Sequence, residues 1–202
     1  MLFFVVLGVW GLHGEAQDAR RVVINEIAWS GTAANARDEW VELVNNTDRS
    51  VDLSGWVLRW EDVVIHFGPV SNDVANNALD VKNALIPARG FYLLERTDDS
   101  TISDVEADLI YTGNLKNAGN VLELVDGDGN VVDTANAKAQ MGWFAGSAGG
   151  GDLPYASMER ISARGPDRAD NWASNTGKTR NGLDAEGNAL NATPKARNST
   201  RR

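Results

Sequence analysis

Val121-Leu122-Glu123-Leu124-Val125 and Val131-Val132-Asp133-Thr134 flank the run Asp126-Gly127-Asp128-Gly129-Asn130. Two β-prone segments joined by Asp, Gly and Asn read as a β-hairpin, because a tight reversal needs the backbone freedom that Gly and Asn supply. Working outward, similar short runs recur between turn residues at Val22–Ala28, Trp40–Val44, Trp56–Trp60, Val63–Phe67, Phe91–Arg96 and Ser157–Ile161. Glu61-Asp62 closes a second tight connection, and Pro87 with Gly90 punctuates the loop before Phe91. Eight short strands, without an amphipathic helix longer than three turns, predict an all-β sandwich or barrel. Segments near 71–86 and 98–110 admit either a helical turn or a loop. Beyond Ile161 the periodicity fades, and residues 163–202, rich in Asn, Gly, Ala and Arg, read by default as a loosely attached tail.

Composition narrows the chemistry. The chain has 202 residues, 43% hydrophobic and 23% charged, and no cysteine. That suits one domain with a sizeable core and excludes disulfides, thiolate metal sites and a cysteine nucleophile. The opening MLFFVVLGVWGL is shorter than the roughly 20 apolar residues that span a bilayer. It reads as the apolar region of a secretory signal peptide over residues 1–16, cut after Ala16, although no Lys or Arg precedes it; a buried first strand is the alternative. The expected layout is therefore signal peptide 1–16, one domain over 20–199 and a short end at 200–202. No other stretch approaches membrane-spanning length, so a secreted, periplasmic or cell-surface protein without a transmembrane anchor is expected. Charge is uneven: residues 17–159 hold 10 basic and 23 acidic groups, residues 160–202 hold 9 basic and 4 acidic. The two parts attract, so the tail either lies along the acidic body or offers Arg197, Arg201 and Arg202 to an anionic polymer.

Few catalytic constellations survive inspection. Of His13 and His66, the first leaves with the signal peptide and the second sits inside a strand, so neither a Ser–His–Asp triad nor an H-E-x-x-H zinc site has its histidines. Ala145-Gly146-Ser147-Ala148-Gly149 lacks the first glycine of a nucleophile elbow, and Gly177-Lys178-Thr179 lacks the glycine and the strand of a phosphate loop. Carboxylates are plentiful: Glu39 and Glu42 flank Trp40, with Glu26 one strand earlier, so an acid/base pair across strands is conceivable, against the alternative that they bond loop amides and Arg side chains. Calcium suits loop oxygens. Asp126–Asn130 begins like a calcium loop but has Val131 and Ala137 where Gly and Glu are needed. Asp98, Asp99, Asp104, Glu106 and Asp108 form the other candidate, with a solvated acidic loop as the alternative. Trp29 and Trp143 sit beside Ser30-Gly31 and Gly142 and are candidates for a binding face, whereas Trp40, Trp56 and Trp60 fall on strands and belong to the core or its cover. Asn45, Asn191 and Asn198 each begin an Asn-x-Ser/Thr acceptor.

Several words in order carry a family resemblance. Val23-Ile24-Asn25-Glu26-Ile27-Ala28-Trp29, Asp38-Glu39-Trp40-Val41-Glu42-Leu43-Val44-Asn45 and Val51-Asp52-Leu53-Ser54-Gly55-Trp56-Val57-Leu58 come first. Ile86-Pro87-Ala88-Arg89-Gly90-Phe91-Tyr92-Leu93-Leu94-Glu95-Arg96, Asn117–Leu124, Gly142-Trp143, Ser157-Met158-Glu159-Arg160 and Ala192–Ser199 follow. Together they span residues 22–199, and the chain resembles the exported bacterial branch of the lamin-tail domain family. The resemblance implies an immunoglobulin-like β-sandwich with the tail packed across its strands as an extended segment, and it brings no catalytic residue. In nuclear lamins the domain follows a coiled-coil rod, and no heptad run is present here. The expectation is a non-catalytic binding or structural module contacting a protein or an envelope polymer, with no cofactor, or calcium in the acidic loop. A carboxylate-based or metal-assisted hydrolase on the same scaffold is the alternative. Nucleic-acid binding through the basic tail is the further one, and the acidic body opposes it.

Overall fold

Val22-Val23-Ile24-Asn25-Glu26-Ile27-Ala28 would, by strict alternation, send Glu26 to the same face as Val22 and Ile24. In the computed structural model, which describes residues 20–71, 74–139, 141–150 and 152–200, a bulge between Ile24 and Glu26 prevents this. One extra residue shifts the pleat by one, so Ile24 and Ile27 both join the main core while Glu26 turns to the opposite face. The signal-peptide segment 1–16 and the final Arg201 and Arg202 lie outside the described residues.

The described residues form fifteen strands: β1 (Val22–Ala28), β2 (Trp40–Asn45), β3 (Val51–Asp52), β4 (Val57–Trp60), β5 (Val63–His66), β6 (Ala78–Val81), β7 (Leu85–Ile86), β8 (Phe91–Arg96), β9 (Leu109–Tyr111), β10 (Leu122–Val125), β11 (Val131–Ala135), β12 (Ser147–Gly150), β13 (Leu153–Ala156), β14 (Met158–Arg160) and β15 (Trp172–Ser174). One sheet runs β15-β14-β1-β2-β8-β9-β6 and a second runs β11-β10-β4-β5, with two-stranded pairs β12-β13 and β3-β7 beside them. All pairings are antiparallel except β8 with β9. This is the all-β, immunoglobulin-like sandwich. The segments around 71–86 and 98–110 contribute β6, β7 and β9 rather than helical turns. Among the described residues no helix is long and apolar enough to cross a membrane.

The core lies between the two sheets, with Val22, Ile24, Val41, Leu43, Tyr92, Leu94 and Tyr111 facing Leu58, Trp60, Ile65, Phe67, Leu122 and Leu124. The outer face of the large sheet is buried too. Ala28, Trp40, Leu93 and Ile110 are covered by Ile102 and Ala107 from one loop and by Leu190 and Ala192 from the C-terminal segment. Double coverage explains why every residue of β1 and β2 is buried, as happens when layers pack on both faces of a sheet. The tail is thus part of the fold, not a free end.

The β10–β11 hairpin forms as its turn residues require. Asp126 Oδ1 accepts the N–H groups of Asp128 and Asn130, which holds this carboxyl below the usual carboxylate range, and Gly129 sits at φ +87°. Nothing lies within 4 Å of where a Gly129 side chain would begin, so substitution there carries a backbone penalty alone. Gly129→Val is expected to cost about 1 kcal/mol or more, read as a lowered thermal midpoint.

Candidate functional site

Arg160 and Asp133 repair the bulge. Where β1 bends, Ile24 N–H donates to Asp133 Oδ2 (2.9 Å) and Ile24 C=O accepts from Arg160 Nε (2.7 Å), while Arg160 Nη2 and Asp133 Oδ2 lie 2.7 Å apart. A buried ion pair thus serves the Ile24 N–H and C=O beyond the point where the β14 ladder on β1 ends at Glu26 and Glu159. Arg160 also donates to Thr134 C=O and Gly165 C=O and stacks on Trp172, 4.5 Å from its ring centre. Burial pushes the Asp133 carboxyl up to about 6 even though Arg160 pulls it down.

On the opposite face the register lines up Glu159, Glu26 and Glu42 across β14, β1 and β2. All three are fully buried. They are covered by the C-terminal strap, residues 190–200, and they grip it mainly by its backbone. Glu26 Oε1 accepts Thr193 N–H (2.9 Å) and Ser157 Oγ–H (2.6 Å). Glu42 accepts Lys195 N–H on Oε2 and Asn25 Nδ2–H on Oε1. Glu159 accepts Asn175 Nδ2–H, Ser199 Oγ–H and Thr200 N–H. Burial, with Glu159 alongside, pushes the Glu26 carboxyl up to about 8, and burial, with Glu26 alongside, raises Glu42 well above the carboxylate range. Glu26 and Glu42, which the sequence left able to meet across strands, are paired in register, but they bond the strap's amides and are sealed beneath it. Glu39 is elsewhere, accepting Leu115 N–H and facing Arg96. Glu95, on β8, is buried with both carboxyl oxygens lacking a hydrogen-bond partner, and burial pushes it up to about 8.

Beside the strap lies a cleft of about 470 Å³. Its walls are the loop Gly31–Ala33, the β12–β13 hairpin with Leu153, Pro154 and Tyr155, and residues 188–192, which lead into and begin the strap. Two charged side chains line it. Asp184 is occupied, its Oδ1 accepting the N–H groups of Glu186 and Asn188. Arg180 is exposed and spends Nε on Gly177 C=O (2.7 Å), with no carboxylate partner among the described residues. The cleft therefore offers apolar and aromatic surface with one cationic fork able to grip an anionic group.

The acidic cluster is placed differently from expectation. Asp98 Oδ1 accepts Ser100 N–H; Asp99 and Glu106 both hold Lys82 Nζ; Asp104 accepts Leu183 N–H; and Asp108 accepts Leu93 N–H and Lys195 Nζ (3.0 Å). The five carboxylates tether the loop and the strap instead of converging on one point. Among the described residues no group of three His, Cys, Asp or Glu is arranged to hold a metal ion. Trp29 and Trp143, the candidates for a binding face, lie together. The rings stack on one another at 5.9 Å, with Trp29 buried and donating to Ala145 C=O and Trp143 half-buried and donating to Lys116 C=O. They pin the Gly142–Gly146 loop to the sandwich. A side chain at Gly146 would begin 2.3 Å from Trp29 Nε1. His66 is half-buried in edge strand β5. Asn45 and Asn198 are buried in hydrogen bonds to neighbouring chain, so their acceptor motifs are structural in the folded domain.

Sequence reading did not find Glu159, Thr193 or Arg180. Ser157–Arg160 is legible as a strand and as a family word, but nothing in local spacing shows that its glutamate closes a row begun at Glu26. Among curated proteins, none matches the chain. The family model described as Lamin Tail Domain matches residues 15–139, more than half of the sequence, and the chain belongs to that family.

Proposed function

We propose that the protein is an exported, non-catalytic binding module of the cell surface or periplasm whose contact site is the cleft between the β12–β13 hairpin and the strap. The observation that carries this reading is the pairing of an accessible cleft with a sealed carboxylate row. Acid/base groups that would serve hydrolysis are buried under the strap, whereas Tyr155, the exposed Leu153 and Arg180 face the opening. Such a surface fits a partner with an apolar or planar face and a carboxylate or other anionic group beside it, carried by a protein or an envelope polymer. The apolar opening run supports export. The acidic body disfavours nucleic acid, which would meet net negative charge around a single cation.

Co-sedimentation of residues 17–202 with the source cell's envelope tests this. Saturable binding that survives moderate salt is expected, because the apolar part of the contact is not screened. Binding that never saturates, or that vanishes with salt as dispersed charge contacts do, would contradict a cleft-based site.

A further inference from the structure

Thr193 Oγ1 lies 3.0 Å from Glu26 Oε2 and 2.9 Å from Glu159 Oε1. A threonine hydroxyl carries one hydrogen, so both contacts are hydrogen bonds only if a second hydrogen sits between them. Counting donors assigns it. Glu159 receives Asn175, Ser199 and Thr200 in addition, so both of its oxygens are served as an anion. Glu26 Oε1 already accepts two donors, while Oε2 meets Thr193 alone. The second hydrogen belongs on Glu26 Oε2, which donates to Thr193 Oγ1, which in turn donates to Glu159 Oε1.

We propose that this shared hydrogen latches the C-terminal strap: the strap closes on the sheet while Glu26 is protonated and loosens when the proton leaves. Beyond the hydrogen bonds from Ser157 and Thr193, the surroundings give an ionised Glu26 no salt bridge among the described residues. Glu159 flanks it on β14 and Glu42 on β2, both carboxylates. The strap's Lys195 acts on Glu42, and its ammonium sits 3.0 Å from Asp108 of the covering loop and is shared with that carboxylate. Glu95 on β8 and Asp99 in the loop add further acid on the same face. Ionisation would place a second buried anion beside Glu159 and leave an unbridged pair of oxygens at Thr193, costs that lifting the strap relieves by admitting water.

The latch bears on the cleft, and in this respect it rests on the binding reading above. Leu190, Asn191 and Ala192, which wall the cleft, immediately precede Thr193. Release at Thr193 takes that wall away, so the binding face is complete at acid pH and is dismantled as pH rises.

The sign follows from linkage. Glu26 titrates near 8 with the strap closed and near its ordinary 4.5 once exposed. Between these values Glu26 alone leaves the open form one proton short, and Glu42, also raised under the strap, adds to this, so opening grows at least roughly tenfold per pH unit. Amide hydrogen exchange on the full chain from pH 5 to 9 reads this directly. Protection factors at Thr193, Lys195 and Thr200 are expected to fall at least about tenfold per unit up to pH 8, and at pH 8 to lie at least tenfold below that of Leu43 in β2. E26Q places a permanent N–H donor opposite Thr193 Oγ1, and its slope is expected to drop by one proton. Protection that does not change with pH in the wild-type chain, or an E26Q slope equal to wild type, overturns the latch. Exchange needs no ligand, so envelope binding that fails at every pH would overturn the cleft reading alone.

Discussion

Arg160→Met is expected to lower the free energy of unfolding by about 3–5 kcal/mol, measured by urea denaturation at pH 7. The substitution preserves much of the volume and removes four hydrogen bonds made by the guanidinium, to Ile24 C=O, Gly165 C=O, Thr134 C=O and Asp133. What remains is worse than a missing bond, because Asp133 is left as a buried carboxylate with Ile24 N–H as its main donor. Asp133 already titrates near 6 with Arg160 present, and losing the cation raises it further. A carboxyl raised on folding stabilises below its unfolded value and loses that contribution as pH climbs, so the defect is expected to be smaller at pH 5 than at pH 8. Pairing Arg160→Met with Asp133→Leu is expected to restore part of the loss, since the orphaned charge goes with its partner. A single variant within about 1 kcal/mol of wild type would mean that the bulge is held by packing and not by the ion pair.

A chain ending at residue 139, where the match to the family model ends, is expected not to unfold cooperatively at all. Removing residues 140–202 strips β14 and β15 from the edge of β1 and lifts the strap from the outer face. Ala28, Trp40 and Leu93 lose Leu190 and Ala192, Glu26 and Glu42 lose most of the donors that hold them, and Ile24 loses Arg160. Each loss falls among the mechanisms behind large destabilisation, and together they exceed the 5–15 kcal/mol that holds a typical domain. The near-ultraviolet circular dichroism of the shortened chain is expected to lack the signal of fixed tryptophans. A sharp thermal transition at a midpoint near that of the full chain would show that the sandwich stands without its last sixty residues, and the strap would then be an accessory.

The parts legible in the sequence were those whose instructions are local. The β10–β11 hairpin follows from Asp and Gly residues that make the turn themselves, and β1 was readable as a strand because both of its faces are buried and its apolar run is nearly unbroken. The bulge at Asn25 was not readable. It cancels the alternation that a sequence reading relies on, and it is enforced by Asp133 and Arg160 from more than a hundred residues away. The two-residue strands β3 and β7 are too short to show any period. The tail was hidden by its chemistry: it docks chiefly by donating backbone N–H groups to glutamates on other strands, and such contacts leave no apolar rhythm in its own composition. Family words placed it on the domain where periodicity could not. Trp29 and Trp143 show the reverse limit. Aromatic residues beside glycines signal either a presented ring or a pinned loop, and only the fold, which stacks the two on each other, separates these outcomes.

The binding reading stands or falls on the cleft, and one comparison tests it most directly. Envelope co-sedimentation of residues 17–202 at pH 6 is measured for the wild-type chain and for Arg180→Ala combined with Tyr155→Ala, with thermal midpoints recorded for both. Arg180 is exposed and Tyr155 half-buried at the rim, so the midpoint is expected to change little. The apparent Kd is expected to rise tenfold or more, the loss that follows when a charged anchor and an aromatic contact go together. Equal binding by the two proteins would contradict the cleft as the contact surface and move the search to another face of the sandwich.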